Sequence, residues 1–484
     1  MGQTSNKIAY NTVVQIIGRI MVLAFALFSI KIITTYLGPA GTGYYNTVIT
    51  LLSFVIVLAD FGLFSVVVRE VAKNPVGAKK IYRGAFTIRF FSAVSFSLLA
   101  VILSQFSQYS IELKQGILVA SLFPVFNLLG SVFDMLYQVK YSMVKAVAAE
   151  VFSKLLTTSL IFFFARLDLG YNTIVSTVSI SAILIFLTKL WLSRNELAFG
   201  FVFDKKILKE LLKMSLPLGF VFIVNNVYFK IDTLILFHYH GAAAVGIYSV
   251  AYRVLETTLF AGSYLTASLK PILSISLGRD REKSERTIEQ AILYLLFMAL
   301  SISIACFTFP EEIILFLSNS DFLPGKLSLV VLGLAPIFVY LSGLVGEVMI
   351  ARDLRRSMIK ISLFILAFNI LLNLYVIPRY SYNGAAASTV ISELILFIIS
   401  AIVARREVNI HFRAHGVARL VISAVAGTIV GVVLRNSQAN FFVSLAASQA
   451  TYFFLVFTLG ALPTDTLKSF IGAIGKRWKK SLSR

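Results

Sequence analysis

The sequence predicts an all-α fold, a polytopic integral membrane protein of about fourteen transmembrane helices. Three observations predict it. The composition is too apolar for a chain solvated by water, apolar windows long enough to cross a bilayer recur along the whole length, and the connectors alternate between basic and nearly uncharged.

Of the 484 residues, 58% are hydrophobic and 14% charged, against about 25% charged in a soluble domain. The net charge of +21 would point to nucleic acid in a soluble protein, because lysine and arginine clusters neutralise phosphates. Here nearly all of that charge sits in short connectors, where a membrane protein keeps its cations on the cytoplasmic side, so nucleic acid is not an expected partner. The one cysteine, Cys306, lies in an apolar run, which leaves no disulfide framework and no thiolate metal cluster.

Windows of about 19 residues place the first seven spans at 13–36, 45–68, 85–103, 117–137, 147–165, 174–192 and 215–237. The first is too long for a signal-peptide core and lacks a small-residue cleavage site, so it reads as a retained helix. The second seven are 245–269, 288–309, 327–350, 359–377, 385–403, 417–434 and 441–462. With the amino terminus inside, the cytoplasmic connectors collect most of the 44 basic residues. Among them are Arg69, Lys79, Lys80 and Arg83 after span two, and Arg352, Arg355, Arg356 and Lys360 after span ten. The opposite loops hold only Lys114, Arg166, Lys326, Arg379 and Arg435, so the positive-inside rule expects both termini in the cytoplasm and an even span count.

Two stretches outside the spans have amphipathic patterns. In 199–214, Ile207, Leu208, Leu211 and Leu212 recur at helical spacing against Lys205, Lys206, Lys209 and Lys213, the pattern of an interfacial helix on an anionic leaflet. The tail repeats it with Leu467, Phe470, Ile471, Ile474 and Trp478 among lysines.

An internal repeat divides the chain. Gly38-Pro39-Ala40-Gly41-Thr42-Gly43-Tyr44-Tyr45 separates spans one and two, and Gly241-Ala242-Ala243-Ala244-Val245-Gly246-Ile247-Tyr248 separates spans seven and eight, both Gly-x4-Gly-x-Tyr. A weaker echo pairs Val175-Ser176-Thr177-Val178 with Ala387-Ser388-Thr389-Val390. Six helices separate the copies of each pair, so both copies keep one orientation, the parallel-repeat case with a substrate site expected between the halves.

At these residues the chain resembles the polysaccharide-export branch of the multidrug/oligosaccharidyl-lipid/polysaccharide exporters, the group holding Wzx-type O-antigen flippases and the lipid II flippase. The resembling stretches are Tyr36-Leu37-Gly38-Pro39 through Tyr45, Ala59-Asp60-Phe61-Gly62-Leu63 ending in Arg69-Glu70, Pro217, and Lys230-Ile231-Asp232. They continue with Gly246-Ile247-Tyr248-Ser249-Val250-Ala251-Tyr252-Arg253, Val376-Ile377-Pro378, and Tyr382-Asn383-Gly384-Ala385-Ala386-Ala387. The resemblance implies two pseudo-symmetric six-helix bundles around a central cavity, 1–198 and 215–416, joined by the linker 199–214. It adds two further transmembrane helices at 417–462 and a basic amphipathic cytoplasmic tail at 463–484. It also implies a substrate, an oligosaccharide on polyprenyl pyrophosphate, moved from the inner to the outer leaflet of the cytoplasmic membrane by alternating access for cell-surface polysaccharide biosynthesis. The expected partners are that lipid-linked oligosaccharide, membrane lipid, a polysaccharide polymerase and glycosyltransferases, around a monomer with no cofactor and H+ or Na+ as coupling ion.

An anionic headgroup crossing hydrocarbon needs cations at membrane depth, and Arg19, Lys31, Arg89, Lys154, Lys189, Lys230 and Arg253 lie within spans. Each costs about 2.5 to 3.5 kcal/mol at a helix centre on insertion scales, so it needs a partner, a wet cavity or an escape to the interface. Lys189 and Arg89 lie near the cytoplasmic surface and Lys31 near the outer one, where snorkelling accounts for them, with Lys31 and Arg89 kept as further cavity charges. Arg19, Lys154, Lys230 and Arg253 lie deeper and are the expected pyrophosphate ligands, arginine as a bidentate fork and lysine as a point charge. The competing reading is an internal pair with Asp60, Asp134, Glu150, Asp232, Glu256 or Glu393. Arg253 and Glu256, at i,i+3, can face each other on a helix, whereas Lys230 and Asp232 cannot. Asp60, Glu256 and Glu393 are also the candidates for loading a coupling cation.

No P-loop, Gly-x-Ser-x-Gly or His-Glu-x-x-His occurs, so ATP-driven transport within the chain and hydrolysis both lack a site, and the chain is not expected to be an enzyme. His238, His240, His411 and His415 read as loop histidines, with no companion set to hold a metal. The alternative function is a cation-coupled multidrug exporter of the same superfamily, which favours an acidic cavity. A polysaccharide polymerase or ligase would carry a large outer loop, and the longest here is 310–326.

Overall fold

The computed structural model describes residues 2–194, 200–279, 281–408 and 414–462. The expected tail helix lies outside them. Among the described residues there are helices and no strand, as a chain with little water to satisfy its backbone requires.

The helices are α1 (Gly2–Asp60), α2 (Leu63–Lys73), α3 (Ala78–Phe106), α4 (Ile111–Ala120), α5 (Leu122–Val139), α6 (Met143–Arg166), α7 (Gly170–Leu192) and α8 (Lys205–Arg279). After them come α9 (Arg281–Thr308), α10 (Pro310–Leu317), a 3-10 turn (Ser320–Gly325), α11 (Lys326–Leu332), α12 (Ala335–Ala351), α13 (Arg355–Arg405), α14 (Ala414–Asn436) and α15 (Phe441–Thr458). Three of these hold two expected spans each across a break: α1 at Gly38 (φ 63°), α8 at Gly241 (φ 74°) and α13 at Ser381 (φ 52°). Glycine at 38 and 241 takes that left-handed φ without a Cβ penalty, so the repeated turn begins at a residue type its backbone demands. Among the described residues nine helices are long and apolar enough to cross a membrane, or ten with the bent pair of α11 and α12 as one. Since α1 and α13 each hold two spans and α8 carries two more, fourteen spans are consistent with this.

The chain separates into two compact units. The first comprises Met1–Val250, Leu315–Pro324 and Ile370–Ala385. Its core stacks Leu63, Val66, Val67, Ala85, Leu129 and Met135 in one cluster and Val48, Leu52, Leu113 and Ile117 in another. Small residues let its helices touch: a Cβ on Gly18 of α1 would collide with Val147 of α6, the close approach that membrane helices use where no hydrophobic force drives association. Hydroxyls supply the rest of the adhesion, with Ser29 and Thr158 hydrogen-bonded at 2.8 Å and Ser153 donating to the Ser181 carbonyl at 3.0 Å. The two copies of the repeated turn also meet inside this unit, since a Cβ on Gly43 would strike the Ala242 carbonyl and one on Gly246 the Pro39 carbonyl.

The second unit comprises Ala251–Ile314, Gly325–Asn369 and Ala386–Arg484. Its helices α9 and α15 form a polar seam: Ser301 donates to Gln449 Oε1 at 2.7 Å, Gln449 Nε2 returns to the Ser301 carbonyl at 3.0 Å, and Tyr452 donates to the Phe297 carbonyl at 3.0 Å.

The linker helix packs on the first unit. Asp204 caps the start of α8, accepting from the backbone N–H of Lys206 at 3.0 Å and of Ile207 at 3.4 Å. Ile207, Leu208 and Leu211 then sit on Gly84 of α3, and Leu211 is buried, while Lys205, Lys206, Lys209 and Lys213 are exposed. The apolar face packs on protein, where the missing side chain at Gly84 leaves a flat seat for it.

Candidate functional site

The basic residues of the spans fall into separate environments. In the first unit, the contact at Gly18 brings α1 against α6, and the next residue, Arg19, reaches Glu150 with Nη1 3.2 Å from Oε2. Arg19 keeps 48% of its side chain exposed. Lys154 lies one helical turn beyond Glu150 on α6 and is half-buried.

Lys31 lies farther along α1 and turns its ammonium to the carbonyls of Leu315, at 2.5 Å, and Ser318, while Thr34 donates to the Leu317 carbonyl at 3.0 Å. These are the terminal acceptors of α10, where a cation complements the negative end of the helix dipole.

Arg89 and Lys189 do not snorkel. Arg89 is 1% exposed and pairs with Asp60 at the end of α1, with further bonds to Ser131 Oγ at 2.6 Å and the Leu128 carbonyl at 3.3 Å. Lys189 is buried and lies 2.7 Å from Asp134. Depth near a span end permits escape to water, but a carboxylate on a neighbouring helix is nearer, and burial without that partner would leave a bare charge. Asp60 is positioned by a break in the second span: Phe61 and Gly62 both take positive φ, and the turn lies so close to Leu218 and Gly219 of α8 that no Cβ fits at 62.

Lys230 is half-buried on α8, and although spacing alone does not make it face Asp232, the two charges act on each other. Asp232, 4% exposed, accepts from the Tyr248 hydroxyl and the Thr233 N–H, each at 2.6 Å. Tyr248 is the tyrosine of the second repeated turn, so the break at Gly241 folds that motif onto a buried carboxylate.

In the second unit Arg253 meets Glu256 at 3.0 Å, the i,i+3 pair visible from spacing. Glu393 is buried on α13, beside Ser392, whose hydroxyl accepts from Asn369 at 3.0 Å. Glu347, half-buried in α12, is a further carboxylate within a span. In the sequence it shows only as a single charge interrupting the apolar run 327–350. Among the described residues no group of three His, Cys, Asp or Glu could hold a metal ion. His411 lies outside them, and His240 contacts the Ile377 carbonyl at 2.9 Å.

Comparison with known proteins matches residues 5–277 to the polysaccharide biosynthesis protein family and residues 217–378 to the MatE family. The capsular polysaccharide biosynthesis protein CapF of Staphylococcus aureus is 23% identical over 191 residues, 39% of this chain and 48% of that one. The match thus spans about half the length of that relative. Among solved structures, the lipid II flippase MurJ in an inward closed conformation superimposes with a TM-score of 0.76 at 14% identity, covering 92% of this chain and 98% of that one. A transporter of the same exporter superfamily from Pyrococcus furiosus gives 0.60 at 16% identity, covering 83% and 95%. At these identities the structures establish a shared transporter fold.

Proposed function

The chain belongs to the polysaccharide biosynthesis protein family of the multidrug/oligosaccharidyl-lipid/polysaccharide exporter superfamily, and from that premise we propose that this multi-pass membrane transporter is a flippase for polyprenyl-pyrophosphate-linked oligosaccharide. It acts in the cytoplasmic membrane with both termini in the cytoplasm, moving its substrate to the outer leaflet by alternating access.

The observation that carries this reading is on α1, where Arg19 meets Glu150 of α6 and still stays half exposed. A pyrophosphate must exchange its hydration for protein cations in a low-dielectric medium, and a half-exposed guanidinium offers it a bidentate fork. Arg19, Lys154, Lys230 and Arg253 are the proposed pyrophosphate ligands. Arg89, sealed against Asp60, instead holds the interrupted second span. A proton or sodium ion drives the cycle, with Glu256 and Glu393 as its proposed carriers. The chain performs no chemistry on its substrate, acts as a monomer, and hands its cargo from cytoplasmic glycosyltransferases to a polymerase.

A cation-coupled multidrug exporter is the second reading, favoured by the MatE match over 217–378. Expression in cells lacking their own exporter decides between them. Restored surface polysaccharide, with no change in resistance to cationic drugs, is the expected result. Inner-leaflet accumulation of lipid-linked oligosaccharide despite correct insertion would overturn the assignment.

A further inference from the structure

Between Gly200 and the start of α8 the chain runs non-helically across α3 and carries two phenylalanines. Their rings, Phe201 and Phe203, stack with centroids 6.1 Å apart and planes 25° from parallel. Phe201 also meets Phe86, Phe90 and Phe91 of α3 at 5.6, 5.3 and 6.0 Å, and Phe203 meets Phe91 at 6.3 Å. The backbone is pinned there, with the Val202 N–H donating to Thr87 Oγ1 at 3.0 Å. The cluster is open on one side, leaving Phe91, Phe201 and Phe203 at 50%, 43% and 69% exposure.

The exposed lysines at 205, 206, 209 and 213 follow directly. Two acids accompany them, Glu210 and Asp204, and Asp204 is engaged in capping α8. The patch is therefore cationic beside an aromatic surface. Because the apolar face of the linker helix packs on Gly84, Phe201 and Phe203 are the large apolar side chains this segment leaves exposed.

We propose that this patch binds an anionic phospholipid, its acyl chain against Phe91, Phe201 and Phe203 and its phosphate among Lys205, Lys206 and Lys209. Aromatic rings suit the boundary between headgroups and chains, and lysines beside them gain free energy from a net negative headgroup. A zwitterionic headgroup carries its own compensating cation and forfeits most of that gain. The pinning of Val202 fixes the rings against α3, so the site is a defined one and not a general attraction to the leaflet. It stands apart from the transported substrate.

The test uses the full-length protein in bilayer nanodiscs with Phe203→Trp as reporter, in a background of Trp191→Phe and Trp478→Phe. Brominated phosphatidylglycerol should quench the introduced indole at a mole fraction roughly tenfold lower than brominated phosphatidylcholine. Lys205→Gln, Lys206→Gln and Lys209→Gln together should merge the two curves, and arginine at the same three positions should keep them apart. All three sites are exposed, so these variants spare the core, and unchanged melting temperatures verify that. Equal quenching by both lipids with the lysines intact overturns the proposal, as does a preference that survives the glutamines. Tighter saturation by polyprenyl pyrophosphate than by phosphatidylglycerol would overturn it too, by assigning the patch to the transported lipid.

Discussion

Asn46 donates to the Ser249 hydroxyl at 3.0 Å across 203 residues of chain, and the two occupy equivalent places, each three residues after the second glycine of its repeated turn. The same offset relates the two backbone collisions there, Gly43 with Ala242 and Gly246 with Pro39. The contact is thus self-complementary, each copy meeting the other with the same surface, as isologous interfaces do about a twofold axis. A repeat read as a topological duplication is also a local packing device.

Gly43→Ala and Gly246→Ala should therefore destabilise the protein by similar amounts, about 1–3 kcal/mol each as for other overpacked sites. Gly346→Ala, whose Cβ would meet nothing within 4 Å, serves as the control and should be neutral or mildly stabilising. Thermal unfolding in detergent compares the three. Unequal losses at 43 and 246 would contradict the symmetry of the contact.

Removing Asp60 leaves the buried Arg89 without its counter-ion, and removing Arg89 leaves the part-buried Asp60 without its cation. Asp60→Asn or Arg89→Gln should each cost about 3–5 kcal/mol of stability. Replacing both, with Asn at 60 and Met at 89, should recover part of that loss, because no uncompensated ion remains. The melting temperatures of the three variants form the check.

Within the group of Arg19, Glu150 and Lys154, the substitutions should act in opposite directions. Arg19→Gln and Lys154→Gln reduce the positive charge offered to a pyrophosphate, and each should weaken binding of a polyprenyl pyrophosphate by roughly ten- to a hundredfold, in line with about 1.5–3 kcal/mol for charge-assisted bonds. Glu150→Gln removes the competing carboxylate and should tighten it. Titration in nanodiscs reads the sign directly, and a loss of affinity in Glu150→Gln would mean that the carboxylate positions Arg19 and does not compete.

Glu311 accepts from Lys326 at 3.0 Å and lies 3.1 Å from Arg435. The Lys326 ammonium, more than the opposing effect of desolvation, holds its carboxyl below the ordinary value of 4.5. A depressed carboxylate contributes stability that is present above the ordinary value and is lost as pH falls through the lowered one. Glu311→Gln should therefore melt slightly below the parent protein at pH 7, and the gap should close in the acid range below 4.5. The exposed setting keeps the effect small.

Much of the architecture is legible in one dimension. All fourteen windows fall on helices or helix pairs, since a backbone in hydrocarbon has few ways to satisfy itself and the apolar run states its length. The pair of Arg253 and Glu256 was also legible, because both residues lie on one turn of one helix. The partners of Arg89 and Lys189 were not: Asp60 is 29 residues from Arg89, and Asp134 is 55 residues from Lys189. Such pairs depend on which helix faces meet, and hydropathy says only that those faces are apolar.

The linker helix marks the same boundary. Its alternation of leucine and lysine correctly told which side avoids water, yet only the flat seat at Gly84 decided that protein covers that side. The sequence by itself determined the membrane class, the apolar windows, the repeat and the alternation of charge between connectors, all properties of local composition. Tertiary structure alone decided which buried charges neutralise one another and which, like Arg19, stay half exposed, because Coulomb energy in a low dielectric depends on distances that only helix packing sets.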